Sequence, residues 1–338
     1  MGDGRPPTLR DVAARAGVSF KTVSRVVNEE PGVSPALAER VRHAVDELGF
    51  RPNVGARVLR TGGTRTALIG LLLDDVADPF SATVLRAVQD AAVARDLAVL
   101  SASVDGDPAR ERALAVGFAA RGIDGLILVP SGHDEADQSY LVAAVNAGTA
   151  VVCLGRAPRG LAVDTVVATE ASGAASGVQH LAAYGHTRIA FLDDRAGGDR
   201  LAGYRTGLEA AGLAHDPSLV VADLPDAALA DDAVSALLRA THPPTALFTG
   251  RDAVTVAALR ALHRMGLQRL VAVVGFGDFV TADLLSPGVT VVAQDPGGIG
   301  RRAAYLLFAR MEGEAGPPST HPVPTVLIPR GSGELPPR

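Results

Sequence analysis

The chain has 338 residues, of which 47% are hydrophobic and 20% charged, with a formal net charge of −5. This apolar content is sufficient for a core and excludes a wholly disordered chain, and the length predicts two or three domains at about 150 residues each. A single cysteine, Cys153, excludes an intramolecular disulfide framework and a metal site built from several cysteines. No apolar run reaches the ~18 residues of a membrane helix and no hydrophobic signal core follows the first methionine, so we expect a soluble cytoplasmic protein.

The charge is unevenly distributed along the chain. Residues 1–66 carry 11 basic and 7 acidic side chains, a balance of +4, whereas the remaining 21 basic and 30 acidic side chains give −9. A basic segment attached to an acidic body predicts a nucleic-acid partner for the N-terminal part and a different partner for the rest.

The first fifty residues predict three short helices. Thr8 and Ser19 are suitable N-caps for the first two helices, and Gly17 lies in the turn between them. The third helix is capped by Ser34 and ends at Gly49. Two short helices joined by a turn that contains glycine indicate a helix-turn-helix.

The second predicted helix, residues 20–28, has an apolar and a polar side. Its three valines would pack against the first helix, which leaves donor-bearing side chains facing outward near the helix N-terminus. Such a surface suits the major groove of DNA. The outward-facing residues are Phe20, Lys21, Thr22, Ser24 and Arg25.

The run TLRDVAARAGVSFKTVSRVVNEEPGVSPALAERVRHAVDELGFRPNVGARVL, from Thr8 to Leu59, resembles the headpiece of the LacI/GalR (lactose/galactose repressor) family of transcriptional regulators. The resemblance is nearly continuous and keeps the spacing between the helices. It implies that Phe20, Lys21 and Arg25 contact base edges, with Arg25 suited to a bidentate contact with guanine. It also implies further DNA contacts, mostly with phosphate, by Thr8, Ser19, Thr22, Ser24 and Asn28.

Residues 51–65 resemble the hinge helix and linker of the same family. The hinge segment is too short to be stable alone, so we expect it to be helical only when DNA and a second subunit hold it. In the family, two hinge helices enter the minor groove, and the residue matching Leu59 is wedged between the central base pairs. The hinge residues implied to contact DNA are Asn53, Ala56, Arg57 and Leu59.

Residues 66–338 alternate between apolar runs and helical segments. Strands are expected at 67–73, 98–104, 125–129, 150–154, 163–168, 188–193, 245–249 and 270–275. Helices are expected at 81–95, 172–184, 199–211, 228–240 and 253–265. Repeated strand–helix units predict parallel sheets covered by helices, and the segment is long enough for two α/β lobes.

The same region resembles the type I periplasmic-binding-protein-like sensor core of the family, a two-lobed α/β fold. The resemblance lies in DDVADPF (74–80), RGIDGLILVP (121–130), HLAAYGHTRIAFL (180–192) and VVGFGDF (273–279). It implies a ligand cleft between lobes joined by three crossings, which we place near residues 165, 294 and 322. The N-terminal lobe would comprise 66–165 and 294–321, and the C-terminal lobe 166–293 and 322–332. Residues 331–338 predict a frayed coil, which argues against a coiled-coil tetramer.

Catalytic motifs are weak. The sequence from Gly297 to Gly300 lacks dinucleotide-binding spacing and predicts a helix start instead. Ser176 has no nucleophile frame around it, and the eight histidines do not cluster with acids at metal-ligand spacing. His186 is typical of a turn or packing residue. We therefore expect no enzyme activity, cofactor or metal.

The predicted effector cleft departs from the family pattern. Gly155 and Gly277 stand where the family commonly has aspartate, Arg251 stands where asparagine is common, and only Arg200 matches in the loop 194–200. Fewer acids and an added arginine favour an acidic or phosphorylated effector, or an altered or absent response. The cleft candidates are Asp75, Phe80, Arg156, Arg195, Arg200, Phe248, Arg251 and Asp252. Three have structural alternatives: Arg200 as a brace, Asp252 as a helix cap and Phe248 as a core residue.

The combined pattern predicts a DNA-binding transcriptional regulator that acts as a repressor. It would bind a palindromic operator as a homodimer and respond to a small-molecule effector. The alternative is a sugar-binding receptor-type protein without a regulatory DNA role, and a sugar-processing enzyme is the third candidate. The intact headpiece favours the first interpretation.

Overall fold

The computed structural model describes residues 7–27, 30–50, 66–131, 137–194, 198–224, 227–313 and 316–338. The chain divides into two compact units, a headpiece of residues 1–66 and a core of residues 67–338. Among the described residues, no helix is both long enough and apolar enough to cross a membrane.

The described residues of the headpiece form a small bundle of three helices. They are α1 (Leu9–Ala16), α2 (Phe20–Val27) and α3 (Pro35–Leu48). Thr8 and Asp11 form a capping box that satisfies backbone N–H groups at the start of α1. The bundle closes around Val12, Val23 and Val41, which are fully buried. The predicted helical N-terminal unit is confirmed.

The core contains two six-stranded sheets covered by helices. The strands are β1 (Leu68–Leu73), β2 (Ala98–Ser103), β3 (Gly125–Leu128), β4 (Ala150–Leu154), β5 (Asp164–Ala168), β6 (Ile189–Leu192), β7 (Val220–Val221), β8 (Ala246–Thr249), β9 (Ala272–Phe276), β10 (Thr290–Ala293), β11 (Thr320–Val323) and β12 (Val326–Ile328). The helices are α4 (Pro79–Val93), α5 (Pro108–Ala119), α6 (Ser139–Asn146), α7 (Glu170–Ala183), α8 (Asp199–Ala210), α9 (Ala227–Leu238), α10 (Asp252–Met265) and α11 (Pro296–Glu312), with a 3₁₀ turn at Pro217–Leu219.

The strand order divides the core into two lobes. The N-terminal lobe has the order β11-β5-β4-β3-β1-β2, and the C-terminal lobe has the order β12-β10-β9-β8-β6-β7. Every pairing is parallel except β10 with β12. The chain passes between the sheets after β5, after β10 and between β11 and β12. This arrangement confirms the predicted two-lobed parallel α/β core.

Two helices of the C-terminal lobe, α7 and α8, pack at close range because glycines line their contact. In α8, a Cβ at Gly203 would lie 2.1 Å from the backbone oxygen of Ala171 in α7, and one at Gly207 would lie 2.8 Å from Cβ of Val178. Glycines one turn apart on one face of α8 therefore allow the two backbones to approach. The low aromatic content of the chain fits such packing, since large side chains would separate the helices.

The C-terminal segment corrects one expectation, because residues 331–338 are not a frayed coil. Ser332 is buried and donates to the backbone oxygen of Val273 at 2.6 Å. The carboxylate of Glu334 accepts from Oγ1 of Thr290 at 2.9 Å. The backbone oxygen of Leu335 lies 2.7 Å from Nε2 of His186, which packs in the core as expected. Hydrogen bonds of backbone groups and of a buried serine hold this segment in place. Its glycine and proline content alone did not indicate this order.

The contact between α7 and α8 makes a stability prediction. Gly203→Ala places a methyl group against a backbone oxygen that cannot rotate away, so one helix must shift. We expect a loss of about 1–3 kcal/mol in the free energy of unfolding, even after the gain in helix propensity. Urea unfolding of the purified protein measures the change. The control is Gly316→Ala, where a Cβ meets no atom within 4 Å. An equal effect of both variants would contradict the close packing.

Candidate functional site

The first candidate surface lies on α2 of the headpiece. Ser19, Phe20 and Lys21 are exposed, with Phe20 at 46%, whereas Thr22 and Arg25 are half-buried. Exposure of an apolar ring beside polar donors is expected of a surface that contacts bases and phosphates. Ser24, the remaining predicted residue of this face, is also half-buried.

A concave surface of about 310 Å³ adjoins α2. It is lined by Ser19, Lys21, Thr22 and Arg25 and by the segment 32–34 with Leu37 at the start of α3. The N-terminal ends of α2 and α3 therefore border the same concavity, and helix N-termini carry partial positive charge. Lysine and arginine at such a place give a surface suited to a phosphate backbone.

Of the other predicted DNA-contacting residues, Thr8 is described by the structure and the rest lie outside the described residues. The hydroxyl of Thr8 is engaged in the capping box, where it accepts from the backbone N–H of Asp11 at 3.4 Å. Outside the described residues lie Asn28, Asn53, Ala56, Arg57, Leu59 and the cleft candidate Arg195.

The second candidate site is a cleft of about 330 Å³ between the two lobes of the core. It lies at the carboxyl ends of parallel strands, which is where ligands bind in open α/β sheets. Its charged lining residues are Asp74, Asp78, Glu170, Arg200, Arg251, Asp252 and Asp278. Its apolar lining residues are Phe80, Val129, Leu154, Val166, Ala168, Phe276, Val280 and Ile299.

Arg200, at the start of α8, is held by three carboxylates. Its Nε donates to Asp193 at 2.9 Å, and its two terminal nitrogens reach Asp193, Asp194 and Glu170 at 3.2, 3.4 and 3.0 Å. The Asp193 side chain is fully buried. A Cβ at Gly250 would lie 2.4 Å from Cγ of Asp193, so glycine is required for this carboxylate to fit beneath the end of β8.

Arg251 follows β8 and connects carboxylates of both lobes. One terminal nitrogen lies 2.5 Å from Oδ2 of Asp194 in the C-terminal lobe. The other lies 3.4 Å from Oδ2 of Asp74, which follows β1 in the N-terminal lobe. The guanidinium is therefore engaged by acids of this chain.

Asp252 occupies the space that a side chain at position 277 would need. Gly277 has a φ of +105°, and a Cβ there would lie 2.1 Å from Oδ1 of Asp252. That oxygen is buried and has no hydrogen-bond partner among the described residues. Burial, together with the neighbouring Asp78 and Asp278, raises the pKa of Asp252 to about 6. The buried carboxylate of Asp252 therefore lies directly against the position where the family commonly has an aspartate.

Gly155 differs from Gly277, although both replace an expected acid. It has a φ of +81°, and a Cβ there would meet no atom within 4 Å. Its position leaves open space in the cleft wall. Of the two glycines, Gly155 borders open space and Gly277 borders the carboxylate of Asp252.

Three cleft candidates lie away from the lining. Asp75 is exposed and accepts from the backbone N–H of Ala77 at 2.9 Å. Arg156 donates to the backbone oxygen of Pro130 at 3.2 Å. Phe248 is fully buried in the core of the C-terminal lobe, where its ring stacks on that of Phe191 at 6.1 Å. The structure brings together Phe80, Arg200, Arg251 and Asp252 in the lining.

The two arginines of the described cleft lining are both engaged by carboxylates, which favours an uncharged effector over the predicted anionic one. Arg200 and Arg251 are both bonded to carboxylates, and five acidic side chains line the cleft beside these two arginines. Asp278, one of the five, pairs with Arg330 at 2.6 Å. The balance of the lining is negative and rich in hydrogen-bond acceptors.

Sequence reasoning missed several lining residues. Asp74 and Asp78 lie within DDVADPF, directly after the buried strand β1. That position at a strand end could have indicated that they line the cleft. Phe276 ends β9 and has the guanidinium of Arg200 above its ring at 5.7 Å. Glu170 and Gln294 follow strands next to crossings, and only the three-dimensional path of the chain brings them together, with Nε2 of Gln294 3.4 Å from Glu170.

Two family models match the chain. One, described as bacterial regulatory proteins of the lacI family, matches residues 8–53. The other, described as a periplasmic binding protein-like domain, matches residues 178–333.

Similar proteins and structures match over nearly the full length. The HTH-type transcriptional regulator CelR of Thermobifida fusca is 36% identical over 97% of this chain and 99% of that protein. The ribose operon repressor of Escherichia coli K12 is 31% identical over 90% of this chain and 93% of that protein. A Lac repressor dimer bound to operator and the anti-inducer ONPF has a TM-score of 0.83 at 26% identity, covering 97% and 99% of the two chains. A complex of CelR with cellobiose has a TM-score of 0.70 at 33% identity, covering 96% and 99%.

The buried carboxyl of Asp252 makes a pH prediction. Its pKa in the folded protein is about 6, above the unfolded value near 3.9, so the unfolded chain ionises first as pH rises. Wild-type stability therefore falls relative to Asp252→Asn between about pH 4 and pH 6, and the difference stays constant above that window. Urea unfolding of both proteins across pH measures it. A pH-independent difference between the two would contradict the effect, and Asp75→Asn, at an exposed carboxylate, is the control.

Proposed function

The chain belongs to the LacI family of bacterial regulatory proteins and is a DNA-binding transcriptional regulator, not an enzyme; we propose that it is a repressor whose operator affinity responds to a neutral saccharide in the interlobe cleft. The observation that carries the proposal is the combination of a donor-bearing helix-turn-helix surface with a separate cleft rich in acceptors. A receptor-type protein without a DNA role would not require the helix-turn-helix surface.

The α2 surface supports a division of labour in DNA binding. Arg25 has the fork of donors that fits guanine O6 and N7, Lys21 is a flexible donor, and Phe20 offers apolar contact to a thymine methyl. Ser19 and Thr22 lie at the helix N-terminus and would bind phosphate, which fixes register. Ser24 has the same role, as does Asn28 by resemblance.

A homodimer and a palindromic operator follow from the small size of the headpiece. One short helix contacts only a few base pairs, and twofold symmetry doubles the site without a new surface. The solved Lac repressor relative is a dimer bound to operator, which supports the same assembly here. In this proposal residues 1–50 are the headpiece and 51–65 the hinge, and the hinge residues Asn53, Ala56, Arg57 and Leu59 bind the minor groove.

The cleft chemistry supports a hydroxyl-rich, uncharged effector. Oδ1 of Asp252 lacks a hydrogen-bond partner among the described residues, and a sugar hydroxyl would supply the missing donor. Phe80, which is half-buried in the cleft lining, provides apolar surface for a pyranose ring. The CelR relative was solved with cellobiose, which makes this disaccharide the first compound to test. A phosphorylated sugar would bring negative charge to a cleft lined by five acids.

Effector and operator are linked through the same protein. If a ligand changes operator affinity by some factor, operator DNA changes ligand affinity by the same factor. We propose that the ligand alters the relation of the two lobes and, through the dimer, the folding of the hinge. The proposed location is the cytoplasm, where the operator is accessible.

Arg25 makes the prediction for DNA. Arg25→Ala removes a bidentate donor, so binding to the preferred palindrome selected from random duplexes should weaken by about 1–3 kcal/mol, with relaxed preference at one base pair. Fluorescence anisotropy on the selected site and its single-base variants measures both effects. Arg42→Ala is the matched control, because Arg42 is exposed and paired with Glu39. Unchanged affinity and unchanged base preference would refute the role of Arg25.

The cleft makes the prediction for ligand class. Cellobiose and other neutral saccharides should raise the melting temperature and release the selected operator, whereas their phosphorylated counterparts should do so less. Asp252→Asn should weaken saccharide binding, and Asp75→Asn should not. Calorimetry on the full chain distinguishes the classes. Tighter binding of phosphorylated sugars than of any neutral saccharide would overturn the proposed effector class.

A further inference from the structure

Arg251 is a cationic side chain placed between the two lobes. It begins the β8–α10 connection in the C-terminal lobe, and its guanidinium lies 3.4 Å from Asp74 at the end of β1 in the N-terminal lobe. These two strands belong to different sheets. The ion pair therefore spans the cleft, independently of the three chain crossings.

Asp194 fixes the guanidinium in position for this contact. Its Oδ2 lies 2.5 Å from Arg251, and its other oxygen lies 3.4 Å from Arg200, which Asp193 and Glu170 also hold. Because Asp194 belongs to the same lobe as Arg251, the arginine is anchored on its own side. Asp74 is then the partner that moves when the lobes separate.

The contact between Arg251 and Asp74 is partly shielded from water. The side chains of Arg251 and Asp74 are 37% and 23% exposed, so water screens them only in part. Burial lowers the pKa of Arg251, but the carboxylates of Asp194, Asp74 and Asp78 outweigh this effect and hold the pKa above its usual value. Asp78 adds negative charge from the same lobe as Asp74. An asparagine at position 251 would carry no charge and could not supply this attraction.

We propose that Arg251 is an ionic latch that holds the two lobes together before any effector binds. With this ion pair, the two lobes are already close together in the ligand-free protein, so the ligand binds to a narrowed cleft. The effector lies beside the guanidinium, against Asp252 and the ring of Phe80. The inference rests on the proposed function only in taking this cleft as the effector site, and its test uses neither effector nor DNA.

The test measures the distance between the lobes in the full-length protein. Spin labels are attached through Ala109→Cys and Asp283→Cys, exposed positions on opposite lobes, while Cys153 is buried and remains unlabelled. Mixing with excess unlabelled protein removes distances between subunits. Pulsed electron spin resonance then gives the interlobe distance. Asp74→Asn, which leaves the anchor to Asp194 intact, should shift this distribution to longer values, and Arg251→Asn should do the same.

Asp75→Asn is the matched control. It removes one negative charge at the residue next to Asp74, from a carboxylate that does not line the cleft. It should leave the distribution unchanged. Raising the salt concentration tenfold should lengthen the wild-type distance and leave Asp74→Asn unaffected, since screening acts only where the ion pair exists. Asp74→Glu should restore the wild-type distance.

An Asp74→Asn distribution identical to that of the wild type at low salt would overturn the latch. The same holds if Asp75→Asn lengthens the distance as much as Asp74→Asn does, because the effect would then be one of net charge. If no saccharide binds but Asp74→Asn still lengthens the interlobe distance, the proposed effector class is refuted and the latch is not.

Discussion

The buried ion pair between Asp193 and Arg200 is the interaction on which the cleft depends. Asp193 is fully removed from solvent, and a buried carboxylate is tolerated only when a partner meets it with good geometry. Arg200 does so with two nitrogens and uses its remaining donors on Asp194 and Glu170. Through these contacts one guanidinium fixes the ends of β5 and β6 and the start of α8. Loss of Arg200 would leave the buried charge of Asp193 without its partner beneath the cleft.

The two glycines of the cleft differ in what surrounds them. At Gly277 a Cβ would lie 2.1 Å from Oδ1 of Asp252, so the buried carboxylate of Asp252 requires glycine there. At Gly155 a Cβ would meet no atom within 4 Å. The glycine at 277 therefore makes room for an acceptor of the cleft, whereas the glycine at 155 borders open space.

The sequence predicted the architecture well because periodicity and caps are local signals. The three headpiece helices and the parallel strands follow from patterns within a few residues. The lining was less predictable, because burial depends on which face of a strand meets another layer. Phe248 and Phe276 both lie on apolar strands, yet only the second, at a strand end, borders the cleft.

Charge pairing was the least predictable feature. Arg251 suggested an anion site because its partners, Asp74 and Asp194, lie 177 and 57 residues away in the chain. No window of the sequence places three such charges together. The order of the C-terminal segment was equally unpredictable, because the partners of Glu334 lie in distant elements. Thr290 and His180 lie 2.9 and 2.5 Å from its carboxylate.

The opposite charges of the two parts of the chain bear on specificity. Non-specific DNA binding is electrostatic, and its strength depends on how many phosphates the protein neutralises. The surplus of +4 lies in the part of the chain that carries the helix-turn-helix, and the surplus of −9 lies in the core. A small basic surplus neutralises few phosphates, so it gives only a weak attraction to a duplex of arbitrary sequence. Occupancy of one operator among all genomic sites depends on the ratio of specific to non-specific affinity, and weak non-specific attraction leaves that ratio to the base contacts of the headpiece.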